Sequence, residues 1–536
     1  LIRYLLDPLN RYSGAKIVFI LSCLAFVLIR LAIVTTSWDH LHNLDTAVYE
    51  IPAYLDCTLS DRTDCASLLP NAHLWGKNIT AYALFPFKWF GANNTVAMAF
   101  LSLLLSFICF AFLVYLAAWR CGAICAGTLG LLLLFPDGNF LIWSLTTWGG
   151  YPEATALLSI PVFIYAAAIA KNNPKLLFLS GIIFGLIFSY SASIIYVLLA
   201  VAITSPLSIR IPDWARHGAA LASGVFLGIV PILLWMLFIG KNIQRSPVEG
   251  APAATFSEFI TWPSVDNLWG PYRILTGFEF LGNDFVCTII LIAAAWTLLF
   301  AFLDKPEGRW RLFFPVCFGS ALLALASFSF SEWVGIRHLL MLYPCAYFCL
   351  ATFVSEDFFH RFMPLAPKAF LWGEKSLKFL LVAAILVFQI PTTVNLIQPG
   401  NFGVLFKFEG MDYMAAGVGP LVGDEVDAMN RLLKTKPYLF ADNDFRQGMR
   451  RVFPEVDTYH CCLWTSVPPK LSDIELPEGI GAHRPFYKGI GCGIVLKSDL
   501  DNNYLELLIS KTTAQRAAWL REGYEDCTDI QVLKNK

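Results

Sequence analysis

The chain has 536 residues, of which 57% are hydrophobic and only 15% charged, against about 25% charged in an ordinary soluble domain. That deficit, with a mean hydropathy of +0.59, excludes a wholly soluble globular protein. The formal net charge of -1 removes any bulk electrostatic reason to expect nucleic acid as a partner.

Residues 1–15 carry Arg3 and Arg11 and no long apolar core, and read as a cytoplasmic juxtamembrane segment. No A-x-A site follows the first apolar run, so no cleavable signal peptide is expected. Apolar runs then predict helices at 16–36, 96–118, 121–135, 154–170, 176–189, 192–205, 217–240, 285–303, 313–330, 338–354 and 378–395. Residues 176–205 also read as one long bent helix, which would change the count and the parity. Backbone groups in hydrocarbon must bond internally, so helices are the structure such runs adopt. Residues 396–536 change character: charges are frequent and no spanning run occurs. There, 436–442 reads as a strand, 443–452 as a short helix and 503–522 as an amphipathic helix. The expected fold class is a polytopic α-helical membrane protein of about 11 transmembrane helices over 16–395, followed by a small soluble α/β domain.

Orientation follows from Lys and Arg in short loops. Arg3, Arg11 and Lys16 precede the first helix. Arg120, then Lys171 and Lys175, then Arg210 and Arg216 follow in alternate loops. Lys305, Arg309 and Arg311, then Arg361, Lys368, Lys375 and Lys378 continue the series. That side is expected to be cytoplasmic. The alternate segments, 37–95, 136–153, 241–284 and 331–337, are richer in aromatics and acids and are expected outside with the C-terminal domain. Trp38, Trp119, Trp148 and Trp333 sit at run ends, as an interfacial belt would place them. The preferred setting is a bacterial inner membrane with a periplasmic C-terminal domain and membrane lipids as surroundings.

Six of the 14 cysteines fall in segments assigned outside: Cys57, Cys65, Cys461, Cys462, Cys492 and Cys527. They are disulfide candidates. Cys57 and Cys65 are near enough in sequence to close a small loop, and the pairing of the other four stays open. Asn78-Ile-Thr80 and Asn93-Asn94-Thr95 are sequons that matter only in a cell that N-glycosylates.

Chemistry concentrates in the outer segments. Directly after the first helix come Asp39, His40, His42, Asp45, Tyr49 and Glu50. Their functional reading is a carboxylate base at the interface; Asp45 is also a good helix N-cap. Asp39, His40, His42 and Asp45 are of the types that ligate a divalent metal, but at no diagnostic spacing. The segment Thr147-Trp148-Gly149-Gly150-Tyr151-Pro152-Glu153 lets backbone bend close to a ligand and puts Glu153 at a helix start, where an acid is also favoured by the helix dipole. Asp137-Gly138 reads as a turn. Arg337-His338 stands at an outer helix end, against the usual charge bias; a phosphate would explain it, and snorkelling to headgroups is the plainer alternative. Glu258, Trp262, Asp266, Trp269, Tyr272 and Arg273 suit a sugar ligand, or a loop lying in the interface. No P-loop, dinucleotide fingerprint, H-E-x-x-H or G-x-S-x-G occurs.

The pattern over 16–395 resembles the GT-C membrane glycosyltransferases, including protein mannosyltransferases and aminoarabinose transferases. Asp45-Thr-Ala-Val-Tyr49 looks like a degraded Asp-Glu-x-x-Tyr. The Gly149-Gly150…Glu153 segment looks like the family's acid before a central helix, and Arg337-His-Leu-Leu-Met-Leu-Tyr-Pro344 looks like its Arg-Tyr-Leu-Leu-Pro-Leu-Tyr-Pro. The resemblance implies a polyprenyl-phosphate sugar donor, with Asp45 and Glu153 catalytic, and Arg337 and His338 on the donor phosphate. Tyr49, Glu50, Trp148 and Tyr151 would line the acceptor and sugar. Thr46, His338 and Met341 depart from the family pattern. A non-catalytic accessory subunit, docking protein partners through the C-terminal domain, therefore stands as the alternative. A transporter is the third reading; it expects more charge inside the helices, where Arg30 is the clearest case.

Overall fold

A computed structural model of the chain describes residues 13–37, 94–145, 150–191, 194–238, 283–327, 339–357, 361–363, 367–397, 438–440, 457–459, 462–464 and 502–534, with positions 80, 83, 84, 86, 87, 487, 490, 491 and 494. Its helices are α1 (Ser13–Ser37), α2 (Asn94–Arg120), α3 (Ala123–Leu134), α4 (Gly138–Ser144), α5 (Tyr151–Lys171), α6 (Pro174–Tyr190) and α7 (Ile195–Ser208). They continue with α8 (Trp214–Phe238), α9 (Asn283–Leu303), α10 (Phe313–Ser327), α11 (Leu342–Ser355) and α12 (Lys368–Ile397). A 3₁₀ segment, Pro306–Leu312, joins α9 to α10. Among the described residues four helices are long and apolar enough to cross a membrane: Gly14–Thr35, Phe100–Arg120, Pro152–Lys171 and Val286–Leu303. The chain is a helical membrane protein.

The chain divides into two compact units. The first comprises Leu1–Thr36, Met98–Asn242 and Thr255–Gln398; the second comprises Ser37–Ala97, Ile243–Ala254 and Pro399–Lys536.

In the first unit the helix ends are written in the sequence. Asn173 caps α6: its Oδ1 accepts the Lys175 N–H at 3.0 Å and the Leu176 N–H at 3.3 Å, and Pro174 follows at the first helical position. Asn172, at φ 49°, ends α5 in the left-handed region that Asn tolerates. Gly122, at φ 91°, lets the chain leave α2 with both the Cys121 and Gly122 N–H groups on the Ala117 carbonyl, at 2.8 and 3.0 Å. Ser191, in extended backbone, separates α6 from α7, so 176–205 is two helices rather than one bent one.

Packing follows helical spacing. On α1, Ile17, Leu21, Leu24 and Leu28 face outward while Phe26, Arg30 and Ile33 are buried. Helix α11 is buried over every residue from Leu342 to Val354 and packs against α3, α9 and α10. Helices α6 and α8 make the closest pair through Gly181 and Gly185 on one and Gly224 and Gly228 on the other. A Cβ on Gly181 would lie 2.5 Å from the Leu221 carbonyl oxygen, and one on Gly224 would lie 3.0 Å from Ile182 N. Only hydrogen fits, which is the close-approach logic of small-x-x-x-small pairs in lipid. Ser189 Oγ donates to the Gly228 carbonyl at 2.9 Å along the same seam.

The second unit holds a three-stranded antiparallel sheet in the order β1-β3-β2, from β1 (Tyr438–Phe440), β2 (Asp457–Tyr459) and β3 (Cys462–Trp464). Leu439 and Thr458 both register on Leu463. The expected strand at 436–442 is found as β1, while 443–452 lies outside the described residues. The expected single helix at 503–522 is two, α13 (Asn502–Ser510) and α14 (Ala514–Lys534). Thr513 causes the break: its Oγ1 accepts the Arg516 N–H at 3.5 Å and its carbonyl accepts the Ala517 N–H at 2.9 Å, restarting the helix. Gly491 abuts α14, where a Cβ would lie 2.8 Å from Tyr524 N.

Candidate functional site

The start of α5 positions the one described acid of the expected site. Gly150 N–H donates to Glu153 Oε2 at 3.1 Å, and Pro152 occupies the first turn, where a missing N–H costs nothing. Glu153 is 3% exposed. Its carboxylate thus takes the capping role that its position allows, inside the bundle rather than at its surface. Further down α5, Pro161 leaves the helix register intact, and its carbonyl accepts the Ser180 hydroxyl at 2.9 Å.

Glu153 shares a cavity of about 30 Å³ with Arg30, Phe26, Ser102, Ser106 and Leu340. That volume holds a water or two, not a sugar. Arg30 is 1% exposed. Its Nη2 donates to the Leu133 carbonyl at 3.2 Å and its Cζ lies 5.1 Å from the Phe26 ring centroid. Its Nε and Nη1 are buried with no hydrogen-bond partner. Ser106 donates to the Ser144 carbonyl at 2.6 Å and also bonds Ser102 one turn back, fixing α2 to the end of α4.

A second polar group centres on Tyr347, which interacts electrostatically with Arg30. Asp137 is buried, and its N–H donates to Tyr347 Oη at 2.8 Å. Gln389 Nε2 reaches the same phenol at 3.4 Å. The expected turn at Asp137-Gly138 is instead the start of α4, with Leu141 N–H on the Asp137 carbonyl at 2.8 Å. Asp is a favoured residue at a helix start, and the Tyr347 phenol takes the Asp137 N–H, which no helix bond uses. The site thus gathers Arg30 from α1, Asp137 at α4, Glu153 from α5, Tyr347 from α11 and Gln389 from α12.

Of the expected site residues, Asp45, Tyr49, Glu50, Trp148, Arg337 and His338 lie outside the described residues, as do Asp39, His40 and His42 and the segment bearing Glu258, Trp262, Asp266, Trp269, Tyr272 and Arg273. Tyr151 is placed by its backbone as the first residue of α5. Cys57, Cys65, Cys461 and Cys492 also lie outside the described residues; Cys462 and Cys527 are placed only by backbone, in β3 and α14. Among the described residues, Cys23, Cys109, Cys121, Cys125, Cys317, Cys345 and Cys349 are free thiols. No group of three or more His, Cys, Asp and Glu that could hold a metal forms among the described residues.

Sequence reading named Glu153 but gave Arg30 no role in the site. The available signal was an arginine inside a spanning run, which in lipid is a functional residue by default. Tyr347 and Gln389 carried no such signal. No protein-family model matches the chain, and no curated protein matches it.

Proposed function

We propose that the chain is a membrane glycosyltransferase of GT-C type that moves a sugar from a polyprenyl-phosphate donor to an acceptor at the outer face. The observation that carries the reading is Arg30: a buried guanidinium with two unbonded nitrogens, in one cavity with the Glu153 carboxylate. A cation left short of partners in low dielectric favours an anion, and Arg binds phosphate oxygens in a fork. The cavity is smaller than a sugar phosphate, so in this reading the donor head lies at its mouth and only phosphate oxygens reach Arg30.

The chemistry assigns each remaining residue a task. The Asp45 carboxylate takes the proton from an acceptor hydroxyl or amine. The acceptor atom bonds to the anomeric carbon as the bond from that carbon to the phosphate oxygen breaks. The polyprenyl phosphate leaves with the electron pair, and the configuration inverts. Arg337 and His338, with Arg30, stabilise the charge gathering on the phosphate. Tyr49, Glu50, Trp148 and Tyr151 line the sugar and acceptor, and Glu153, in the wall of the small cavity, orients them through the mouth of that cavity rather than by admitting them. The same reading includes about eleven spanning helices, a cytoplasmic N-terminus and a small soluble α/β domain at 396–536 on the outer side. It places the chain in a bacterial inner membrane, with disulfides among the outer cysteines.

The test is mass spectrometry of lipids co-purifying with the full chain, beside Arg30→Met and Arg337→Ala. Polyprenyl phosphate or its glycosylated form, bound by wild type and lost in both variants, supports the reading. Bulk phospholipid alone, with protein partners in fixed ratio, sinks it and leaves the accessory subunit that Thr46, at the place of a family acid, keeps open. Transfer activity undiminished in an Asp45→Asn, Arg337→Ala double variant would also refute the assigned roles.

A further inference from the structure

A second charged cavity lies at the opposite end of α5. From Glu153 to Lys171 the helix rises about 27 Å. There Lys171 Nζ and Arg120 Cζ stand 5.8 and 5.3 Å from the Trp119 ring centroid, which ties the end of α5 to the end of α2. Beside them opens a cavity of 570 Å³ lined by Arg120, Asp304, Lys305, Arg311, Glu356 and Arg361. Its walls come from the ends of α2, α9 and α11 and from the 3₁₀ segment, all within the first unit.

The ion pairs in this cavity do not balance. Arg311 pairs with both Asp304 and Glu356, and Arg361 Nη2 holds Asp304 Oδ1 at 3.0 Å. Both acids are engaged. Glu307, nearby, has its carboxylate on Arg210 and gives only its backbone carbonyl to Arg120 Nη2, at 3.1 Å. Arg120 Nε is buried without a partner. Lys305 is exposed. Among the described residues neither Arg120 nor Lys305 pairs with a carboxylate. Burial pulls the Arg311 guanidinium down, but the charges of Cys121, Glu356 and Asp304 outweigh it and its pKa is raised, so Arg311 stays charged and keeps both acids occupied.

We infer that this cavity binds a phosphate-bearing anion, seated between Arg120 and Lys305. Two cations without a carboxylate partner match a phosphate monoester, which carries about -1.5 to -2 charges at neutral pH. The guanidinium fork takes two phosphate oxygens at once, and the charge of a phosphate monoester answers both cations where a single carboxylate answers one. The volume falls within the range of about 300–1,000 Å³ typical of ligand pockets and exceeds what bare phosphate fills. The phosphate therefore carries a body, either a lipid glycerol or a soluble organic group. The site is separate from the Arg30–Glu153 cavity and does not depend on the transferase reading.

Two arms separate the sources. In the first, inorganic phosphate and glycerol phosphate are titrated calorimetrically onto the full chain in phosphatidylcholine nanodiscs, with acetate as the control anion. In the second, native mass spectrometry counts phosphatidic acid and phosphatidylglycerol retained from doped nanodiscs. Binding in the first arm assigns a soluble phosphoester, and retention in the second alone assigns a headgroup. In either case Arg120→Gln should weaken binding about tenfold or more, ~1.4 kcal/mol, and acetate should not bind. Lys305 is exposed and tolerates replacement, so Lys305→Gln decides the matter if Arg120→Gln melts early; at least threefold weakening is expected, about 0.6 kcal/mol. No binding in either arm, or binding unchanged in Lys305→Gln and in a well-folded Arg120→Gln, overturns the inference.

Discussion

Replacing Gly228 by Ala should force α6 and α8 apart. A Cβ there would lie 2.7 Å from Leu186 N and 2.8 Å from Gly185 Cα, and nearer still to the Ile182 carbonyl oxygen. Carbon contacts are at their best near 3.5–4.0 Å, so the helices must separate by about 1 Å. The opposing atoms are backbone and cannot rotate away. Overpacking of this kind costs about 1–3 kcal/mol. The separation also stretches the 2.9 Å bond from Ser189 Oγ to the Gly228 carbonyl, and an interhelical hydrogen bond in lipid contributes about 0.6 kcal/mol. The better helix propensity of Ala returns about 1 kcal/mol. The expected net loss is about 0.6–2.6 kcal/mol. Gly218 lies on the same helix with nothing within 4 Å of its Cβ position, so Gly218→Ala keeps the propensity gain and pays no steric cost. Thermal unfolding of the full chain in one detergent, followed by tryptophan fluorescence, should rank Gly228→Ala below wild type and Gly218→Ala at or above it. Equal melting of the two variants would refute the close-packed seam.

Arg30→Met should leave the melting temperature unchanged or raised, because a buried cation with unbonded donors contributes little to folding, while donor-lipid retention falls; a clear drop in melting would make Arg30 a structural residue instead. Asn173→Ala removes the cap on α6 and should destabilise the chain by about 1 kcal/mol, read as a lower melting temperature. A thiol hydrogen bond from Cys125 lowers the Cys121 pKa, aided by the Arg311 charge and opposed by burial, so Cys121 should form thiolate at lower pH than an ordinary thiol. Cys125→Ala should shift its maleimide labelling profile to higher pH, and an unshifted profile would contradict the assigned cause.

Much of the helical architecture was legible because apolar runs in lipid leave the backbone one choice. The runs at 154–170 and 285–303 correspond to α5 and α9 within a few residues. What periodicity could not give was local chemistry that competes with it. Asp137 reads as a turn residue, yet its carbonyl takes the Leu141 N–H and starts α4, while the Tyr347 phenol, 210 residues away in sequence, holds its N–H. Thr513 reads as one more polar position on an amphipathic helix, yet its hydroxyl restarts the chain as α14. The Gly181…Gly185 and Gly224…Gly228 spacings stand in the sequence, but each looks like ordinary apolar filling until the partner helix is known. In the site, Glu153 was legible because it follows the Gly149-Gly150 bend at a helix start. Arg30 was seen only as an exception to apolarity, because the sequence does not say which carbonyl it meets.

Arg30 and Glu153 bear on the choice between a catalyst and an inert relative. An arginine inside a membrane helix costs about 2.5–3.5 kcal/mol at the helix centre on the mildest scale and less toward the ends; Arg30 stands in the last third of the Gly14–Thr35 span. Arg30 recovers part of that through one carbonyl bond and one ring contact. A guanidinium has five N–H donors, and those of Nε and Nη1 go unused. A purely structural role would have been met by satisfying those donors, or by an apolar side chain of similar volume, which packs at no such cost. Glu153 sharpens the contrast: its carboxylate is held by a backbone N–H, so it is fixed in orientation rather than left to seek Arg30. Under the proposed function, a cation kept unsatisfied beside an acid held still is preorganised for a ligand that brings its own negative charge, and that ligand's binding energy would offset the cost of Arg30.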